Sequence, residues 1–156
     1  MTEHCYQHIL VPLDGSKLAE LALEHAFTLA QLCQAELTLL QVVPPIKEVI
    51  AAEGEHPLFV DEQWLDAETR DLEYLHTVCK RMNCRDLTIH IVVEMGSPAE
   101  MIVDYAHEQP IDLIVMATHG RSGLQRWVYG SVADKVLRGA DVPVLLIRAH
   151  SVRGAV

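Results

Sequence analysis

The chain has 156 residues, of which 50% are apolar, 22% charged and 5% aromatic, and its formal net charge is −10. This composition is typical of one soluble globular domain and excludes disordered, collagen-like and coiled-coil chains. The apolar runs are far shorter than the roughly 20 residues that cross a membrane, and a strongly acidic chain is a poor general binder of nucleic acid.

The N-terminal part of the chain predicts a strand followed by a long helix. Its first residues lack the basic flank and apolar stretch of a signal peptide, so we expect a cytoplasmic protein. Residues 8–13 are a short apolar strand, and Ser16, after the turn at Asp14, is suited to cap a helix. The helix would face a core with one apolar stripe, made by Leu18, Ala22, Ala26, Leu29 and Cys33.

The next part predicts a second strand, a long loop and an acidic helix. The strand covers 36–43, residues 46–60 are irregular, and the helix covers about 61–82. Its inner face would carry Leu65, Leu72, Leu75 and Cys79. Nine carboxylates stand against one arginine between 48 and 73, which indicates a solvated surface far from any bound anion.

The C-terminal half continues the alternation of strands and helices. After a strand at 86–93, Gly96 provides a turn, and the Ser97–Glu100 segment has the pattern of a capping box at the start of a third helix. The run 112–117 is apolar throughout, as in a strand buried on both faces. A fourth helix opening at Gly130 and a strand at 142–148 complete the chain; the expected inward residues of that helix are Val132, Val136 and Leu137.

This alternation predicts an α/β fold with a parallel sheet, right-handed crossovers and helices on both faces. We expect one domain over 1–156, with a long loop at 46–60 and a C-terminal tail at 149–156. In such sheets ligands bind beyond the C-terminal ends of the strands, where the strand order reverses.

The cysteines and histidines predict no metal site. No CxxC motif occurs, none of the Cys/His sets has zinc spacing, and a cytosolic chain of this size needs no disulfide framework. Cys33 is interpreted as a small core hydrophobe. The nine histidines are scattered, and only His119 lies in a segment that carries chemistry.

The segment 117–131 is the one that carries chemistry. It lies between a buried strand and a helix and contains Gly120, Gly123 and Gly130. The stretch 119–138, which overlaps it, has four basic residues against one aspartate. Glycines let backbone amides approach a ligand, and a helix N-terminus favours an anion, so the pattern predicts phosphate binding; a flexible loop is the alternative. The segment matches neither a Walker A loop, nor G-x-G-x-x-G, nor a nucleophile elbow.

The motif Ala117-Thr118-His119-Gly120, nine further residues and Gly130-Ser131-Val132 closely resembles the universal stress protein family (UspA type). Residues 9–16, 37–43 and 96–98 resemble the first strand, second strand and third-strand turn of that family. Nucleotide-binding members carry G-x-x-G, nine residues and G-[ST], and the first glycine is alanine here. The resemblance implies one doubly wound open sheet, flavodoxin-like or Rossmann-like, with five mainly parallel strands in the order 3-2-1-4-5 and four helices.

The resemblance also implies ATP or AMP as a regulatory ligand, with Mg²⁺ as the ion that accompanies ATP. Asp14 would accept hydrogen bonds from the ribose, Pro12 would shape that edge, and Val42 would meet the adenine. Without the resemblance, Asp14 is a helix-entry cap and Val42 is core. The loop and the start of the fourth helix would surround the phosphates, at Ala117, Thr118, His119, Gly120, Arg121, Gly130, Ser131 and Val132.

Two other functions stay open. A slow ATPase or adenylyl-transfer enzyme would need a carboxylate pair or an activated nucleophile near the loop, and neither is identifiable. A dimeric interaction module without nucleotide is supported only by Ala117. The last strand, Val142–Ile147, is a short apolar edge that needs a partner, and the resemblance implies that it pairs with a second copy in a homodimer.

Overall fold

Strands and helices alternate along the whole described part of the chain. The computed structural model describes residues 5–45, 58–82, 86–118 and 130–148. Its elements are β1 (His8–Leu13), α1 (Lys17–Cys33), β2 (Glu36–Val43), α2 (Leu58–Arg81), β3 (Ile89–Met95), α3 (Pro98–Glu108), β4 (Leu113–Ala117), α4 (Ser131–Gly139) and β5 (Val144–Ile147). The predicted order is confirmed. Most of the predicted loop at 46–60 and the tail at 149–156 lie outside the described residues, but α2 already begins at Leu58.

The sheet has the order β3-β2-β1-β4-β5, and all four strand pairs are parallel, which confirms the predicted fold class. The order reverses at β1, because β2 lies on one side of it and β4 on the other. The ladder from β1 to β2 runs the full length of β1, whereas the β1–β4 ladder consists of Ile9↔Leu113 and Leu10↔Ile114. Pro12, which has no N–H to donate, lies beyond that short ladder. A crevice can therefore open between the C-terminal ends of β1 and β4.

Successive residues of each strand pack into two separate cores, as the period of a strand requires. On one face, residues such as Ile9 and Leu39 pack with α1 and with Leu75 of α2. On the other face, residues such as Leu10 and Leu40 pack with α3 and α4. Among the described residues, none of the helices has both the length and the apolar character needed to cross a membrane.

The expected inward positions on the helices are confirmed in part. In α1 the predicted Ala22 and Ala26 are buried, and Leu29 and Cys33 pack against the core. The buried stripe also includes residues that were not predicted, namely Ala19, Leu23, Phe27 and Ala30. Leu65 of α2, which was predicted to face inward, is 57% exposed, whereas Leu75 on the same predicted face is fully buried. In α4, Ala133 and Val136 point inward, so the neighbouring Leu137 is turned to the surface.

The helix starts differ in how they are capped. Ser16 caps α1 as expected, since its side-chain oxygen accepts a hydrogen bond from the Ala19 N–H at 3.1 Å. Ser97 makes no side-chain cap bond at the start of α3, so that predicted capping box is wrong. Gly96, just before it, has a packing role instead: a β-carbon there would lie 2.6 Å from Cγ of Met101.

A disulfide joins Cys5 to Cys33, which corrects both the expected absence of disulfides and the interpretation of Cys33 as a simple core residue. The cause is the pairing of β1 with β2. The Glu36 N–H donates to the Gln7 carbonyl at 2.8 Å, so the residues before β1 run beside the end of α1. This brings the two α-carbons to 5.3 Å, within the usual range for a disulfide.

Reduction of this disulfide is expected to lower the free energy of unfolding by about 3 kcal/mol. The bond closes a loop between residues 28 apart in the sequence, and the chain-entropy relation assigns about 3–4 kcal/mol to a loop of that length. Urea unfolding with and without a phosphine reductant measures the change. The same reductant should have no effect on a Cys5→Ser variant. Equal unfolding midpoints of the parent chain in both conditions would contradict the prediction.

Candidate functional site

A cavity of about 330 Å³ lies at the C-terminal ends of β1, β2 and β4. Its volume falls within the range of small-molecule sites, roughly 300–1,000 Å³. It occupies the point where the strand order reverses, which is where open α/β sheets bind ligands. The position of this cavity makes it the candidate functional site.

The structure brings most of the predicted site residues together in this cavity. Those that line it are Pro12, Asp14, Val42, Ala117, Thr118, Gly130, Ser131 and Val132. The remaining predicted residues, His119, Gly120 and Arg121, lie outside the described residues.

One part of the cavity is apolar. Leu40 and Met116 contribute from the strands, and Pro98 and Ile102 from α3. The ends of β2 and β4 lie on either side of β1, so Val42 and Ala117 come from the two flanking strands. A flat apolar ring is the kind of group that such a lining can bury.

Another part of the cavity is the N-terminus of α4. The N-cap residue is Gly130, which has no side chain to cap the helix. The Gly130 N–H donates to the Thr118 carbonyl at 2.8 Å, and the Thr118 N–H donates to the Ile147 carbonyl at 2.9 Å. These bonds hold the helix start against the ends of β4 and β5. The first-turn N–H groups, at Ser131, Val132 and Ala133, have no partner within the helix, and they give the lining a positive end.

Asp14 has a structural contact as well as a place in the lining. Its carboxylate accepts a hydrogen bond from the Ser16 N–H at 2.9 Å, which stabilises the turn into α1. Gly15, between them, has a φ of 79°, a conformation that side chains other than glycine rarely adopt. The turn therefore holds the half-buried carboxylate of Asp14 at the cavity edge.

Two charged residues of α2 that were not predicted from the sequence also line the cavity, Arg70 and Asp71. Asp71 is only 8% exposed, and Arg70 Nε lies 3.5 Å from its carboxylate. The expectation that the acidic segment lies wholly on a solvated surface away from the site is thus wrong for these two residues. Arg70 and Asp71 are adjacent within an acidic run and belong to no periodic pattern, so nothing in the sequence pointed to a place in the cavity.

Glu20 of α1 holds α2 beside this cavity. Its carboxylate accepts hydrogen bonds from the Tyr74 hydroxyl at 3.1 Å and from Arg81 at 2.6 Å. Burial by itself raises the pKa of Glu20, but the hydrogen bonds from Lys17, Arg81 and Tyr74 outweigh it and keep the pKa below its ordinary value. Burial and the Glu20 charge raise the pKa of Tyr74, so its hydroxyl remains a donor at neutral pH.

Comparison with known proteins gives a consistent result. Residues 6–148 match the model of the universal stress protein family. Universal stress protein MJ0531 of Methanocaldococcus jannaschii is 36% identical over 147 residues, which cover 94% of this chain and 84% of that protein. Universal stress protein YxiE of Bacillus subtilis is 30% identical, with 92% of this chain and 99% of that protein covered.

A solved structure has the same architecture. Protein MJ0577, also from M. jannaschii, superposes with a TM-score of 0.82 at 27% sequence identity. The superposition covers 94% of this chain and 99% of that one. The likeness therefore extends over the whole fold, including the strand ends that form the cavity.

Proposed function

Because the chain belongs to the universal stress protein family, we propose that it binds an adenine nucleotide, ATP or AMP, as a regulatory ligand in this cavity. The observation that carries the proposal is the uncapped N-terminus of α4, which opens onto the same cavity as an aspartate and an apolar lining. Phosphate, ribose and base each need one of these three surfaces.

Each surface has a role in the proposal. The amides of Ser131, Val132 and Ala133 would donate to phosphate oxygens, while the N–H of Gly130 stays on Thr118. Asp14 would accept from the ribose hydroxyls. The adenine would lie against the apolar lining at Val42. His119, Gly120 and Arg121 remain proposed members of the phosphate loop.

The donor set is also compatible with Mg²⁺ bound together with ATP. Mg²⁺ takes oxygen ligands, usually one or two carboxylates together with substrate phosphates and water. Asp14 and the hydroxyls of Thr118 and Ser131 bring such oxygens to the lining. The ion would neutralise charge on the phosphates.

The protein as purified provides the first test. Denaturing it and separating the supernatant by chromatography should release ATP or AMP in an amount approaching one per chain. If nothing is released and protein refolded without ligand takes up neither nucleotide, the cavity does not have this function. Rapid turnover of added ATP would instead favour the enzyme alternative.

Replacing Asp14 with asparagine should weaken nucleotide binding about tenfold. Asparagine retains an oxygen that can accept from the Ser16 N–H, but it loses the charge that strengthens hydrogen bonds from the ribose, a difference of about 1.4 kcal/mol. Calorimetric titration measures the affinity, and thermal unfolding checks the turn. Asp66→Asn, on an exposed part of α2, is the matched control. An unchanged affinity in Asp14→Asn would remove Asp14 from the site.

We also propose a homodimer formed through β5. This strand is an edge of the sheet, is paired on one side with β4, and leaves Leu145 37% exposed. A short apolar edge strand is an unfavourable surface unless another strand covers it. A second copy that pairs across a twofold axis would extend the sheet through both chains.

A further inference from the structure

Two histidines and a glutamate come together at the end of the sheet opposite the proposed nucleotide cavity. They are His8, Glu36 and His90. A ring nitrogen of each histidine and a carboxylate oxygen of Glu36 lie within 4.8 Å of one another. The three residues come from β1, β2 and β3, close to the N-terminal ends of these strands. The cavity lies at the C-terminal ends of the strands, which is about 17 Å away along the six residues of β1.

Strand register explains why residues so distant in sequence converge. His8 is the partner of Glu36 across β1 and β2, and His90 is the partner of Thr38 across β2 and β3. Glu36 and Thr38 are two residues apart, so all four side chains point to one face of the sheet. β1 and β3 are separated by two strand spacings, about 9.6 Å, yet the histidine ring centroids are only 5.4 Å apart. The rings therefore lean toward each other over β2.

The cluster is held by bonds that do not depend on a ligand. The Asp112 carboxylate accepts from the N–H groups of Gln7 and His8 at 2.7 and 3.0 Å, which anchors the start of β1. Nε2 of His8 lies 2.8 Å from the hydroxyl oxygen of the buried Thr38. Nε2 of His90 lies 2.7 Å from the Glu36 carboxylate. The contact with Thr38 is of the kind that orients an imidazole that binds a metal.

We propose that His8, Glu36 and His90 form a binding site for a divalent transition-metal ion of the Zn²⁺ type. Two imidazoles and one carboxylate are a common zinc ligand set, and a water completes the tetrahedron. Ligand atoms around a tetrahedral zinc ion are about 3.4 Å apart, given bonds of about 2.1 Å. The ligand atoms now lie within 4.8 Å of one another, and the exposed His90 and Glu36 would exchange their mutual hydrogen bond for bonds to the ion.

The chemistry of the donor atoms indicates which ions this cluster would take. Imidazole nitrogen selects Zn²⁺, Co²⁺, Ni²⁺ and Cu²⁺ over Mg²⁺ and Ca²⁺, which prefer oxygen. The proposed site is therefore distinct from any Mg²⁺ that accompanies ATP.

Calorimetric titration with ZnCl₂ tests the proposal. The full-length chain is purified without a histidine tag, stripped with a chelator and titrated near neutral pH without reductant. One zinc ion per chain is expected. His90→Gln and Glu36→Gln, each at an exposed position, should weaken binding at least tenfold. His107→Gln is the matched control, because exposed His107 also lies 3.5 Å from a carboxylate, that of Asp141, but has no third ligand among the residues that the structure describes.

A second readout separates this site from the cysteines and from the nucleotide cavity. Cobalt substituted for zinc should show no sulfur-to-metal charge-transfer absorption, and Gly130→Asp should bind zinc as tightly as the parent. Zinc uptake that persists unchanged in both His90→Gln and Glu36→Gln, a cobalt–thiolate band, or no zinc uptake at all would each overturn the proposal.

Discussion

Replacing Gly130 with aspartate is expected to abolish the binding of ATP and AMP and to leave the fold intact. The new carboxylate would lie at the N-terminus of α4, where it can accept from the first-turn amides that we assign to phosphate. It would also repel the phosphate by about 4 kcal/mol at 4 Å and an effective dielectric constant of 20, which corresponds to roughly a thousandfold in affinity.

The fold should tolerate this change for two reasons. Gly130 has φ −55° and ψ 150°, which any residue can adopt. An aspartate N-cap is also slightly more favourable to a helix than a glycine N-cap, by about 0.3 kcal/mol. Gly130→Asn is the matched control, because it adds the same bulk and a similar cap without the charge, and it should retain measurable binding. If folded Gly130→Asp binds ATP as tightly as the parent, the phosphates do not lie at the start of α4.

Replacing Leu145 with lysine is expected to convert the homodimer to a monomer at micromolar concentration. Leu145 is the exposed residue of β5, whereas its neighbours Val144 and Leu146 pack against the core of the same chain. A lysine on an edge strand stays hydrated and blocks strand pairing, and across a twofold axis two lysines would also repel each other. Light scattering measures the molar mass, and circular dichroism checks the secondary structure.

Leu32→Lys is the control for this variant. Leu32 lies on α1 and is 75% exposed, so a lysine there adds the same charge away from the sheet edge. We expect this control to remain a dimer. A parent chain that is monomeric at the same concentration, or a Leu145→Lys variant that stays dimeric, would contradict dimerisation through β5.

The alternation of strands and helices could be predicted from the sequence because each pattern is local. The apolar runs that form β1 and β4 have the composition of buried parallel strands. Turn residues mark the ends of strands, as Gly96 does after β3. Sequence periodicity does not give the order of strands in a sheet, and here that order came from the family resemblance. The same resemblance brought Asp14 and Val42 into the predicted site, although each was equally compatible with a structural role.

What could not be predicted depends on the arrangement of elements in space. Arg70 and Asp71 reach the cavity because Glu20 holds α2 against α1, a contact between residues far apart in sequence.

The pairs formed across strands have the same origin. The approach of Cys5 to Cys33, and of His8 to His90, can be inferred only when the register of β1 with its neighbours is known. A search for metal or disulfide spacing along the chain cannot find residues that parallel strands bring together.

Calorimetric titration of ligand-stripped protein with ATP will show whether the cavity at the strand ends binds an adenine nucleotide, as we propose. We predict saturable binding of one ATP per chain, with AMP competing for the same site. GTP should bind more weakly, because the apolar lining at the base favours adenine over the more polar guanine. The absence of any heat of binding with ATP and AMP at millimolar concentration, in protein shown to be folded, would contradict the claim.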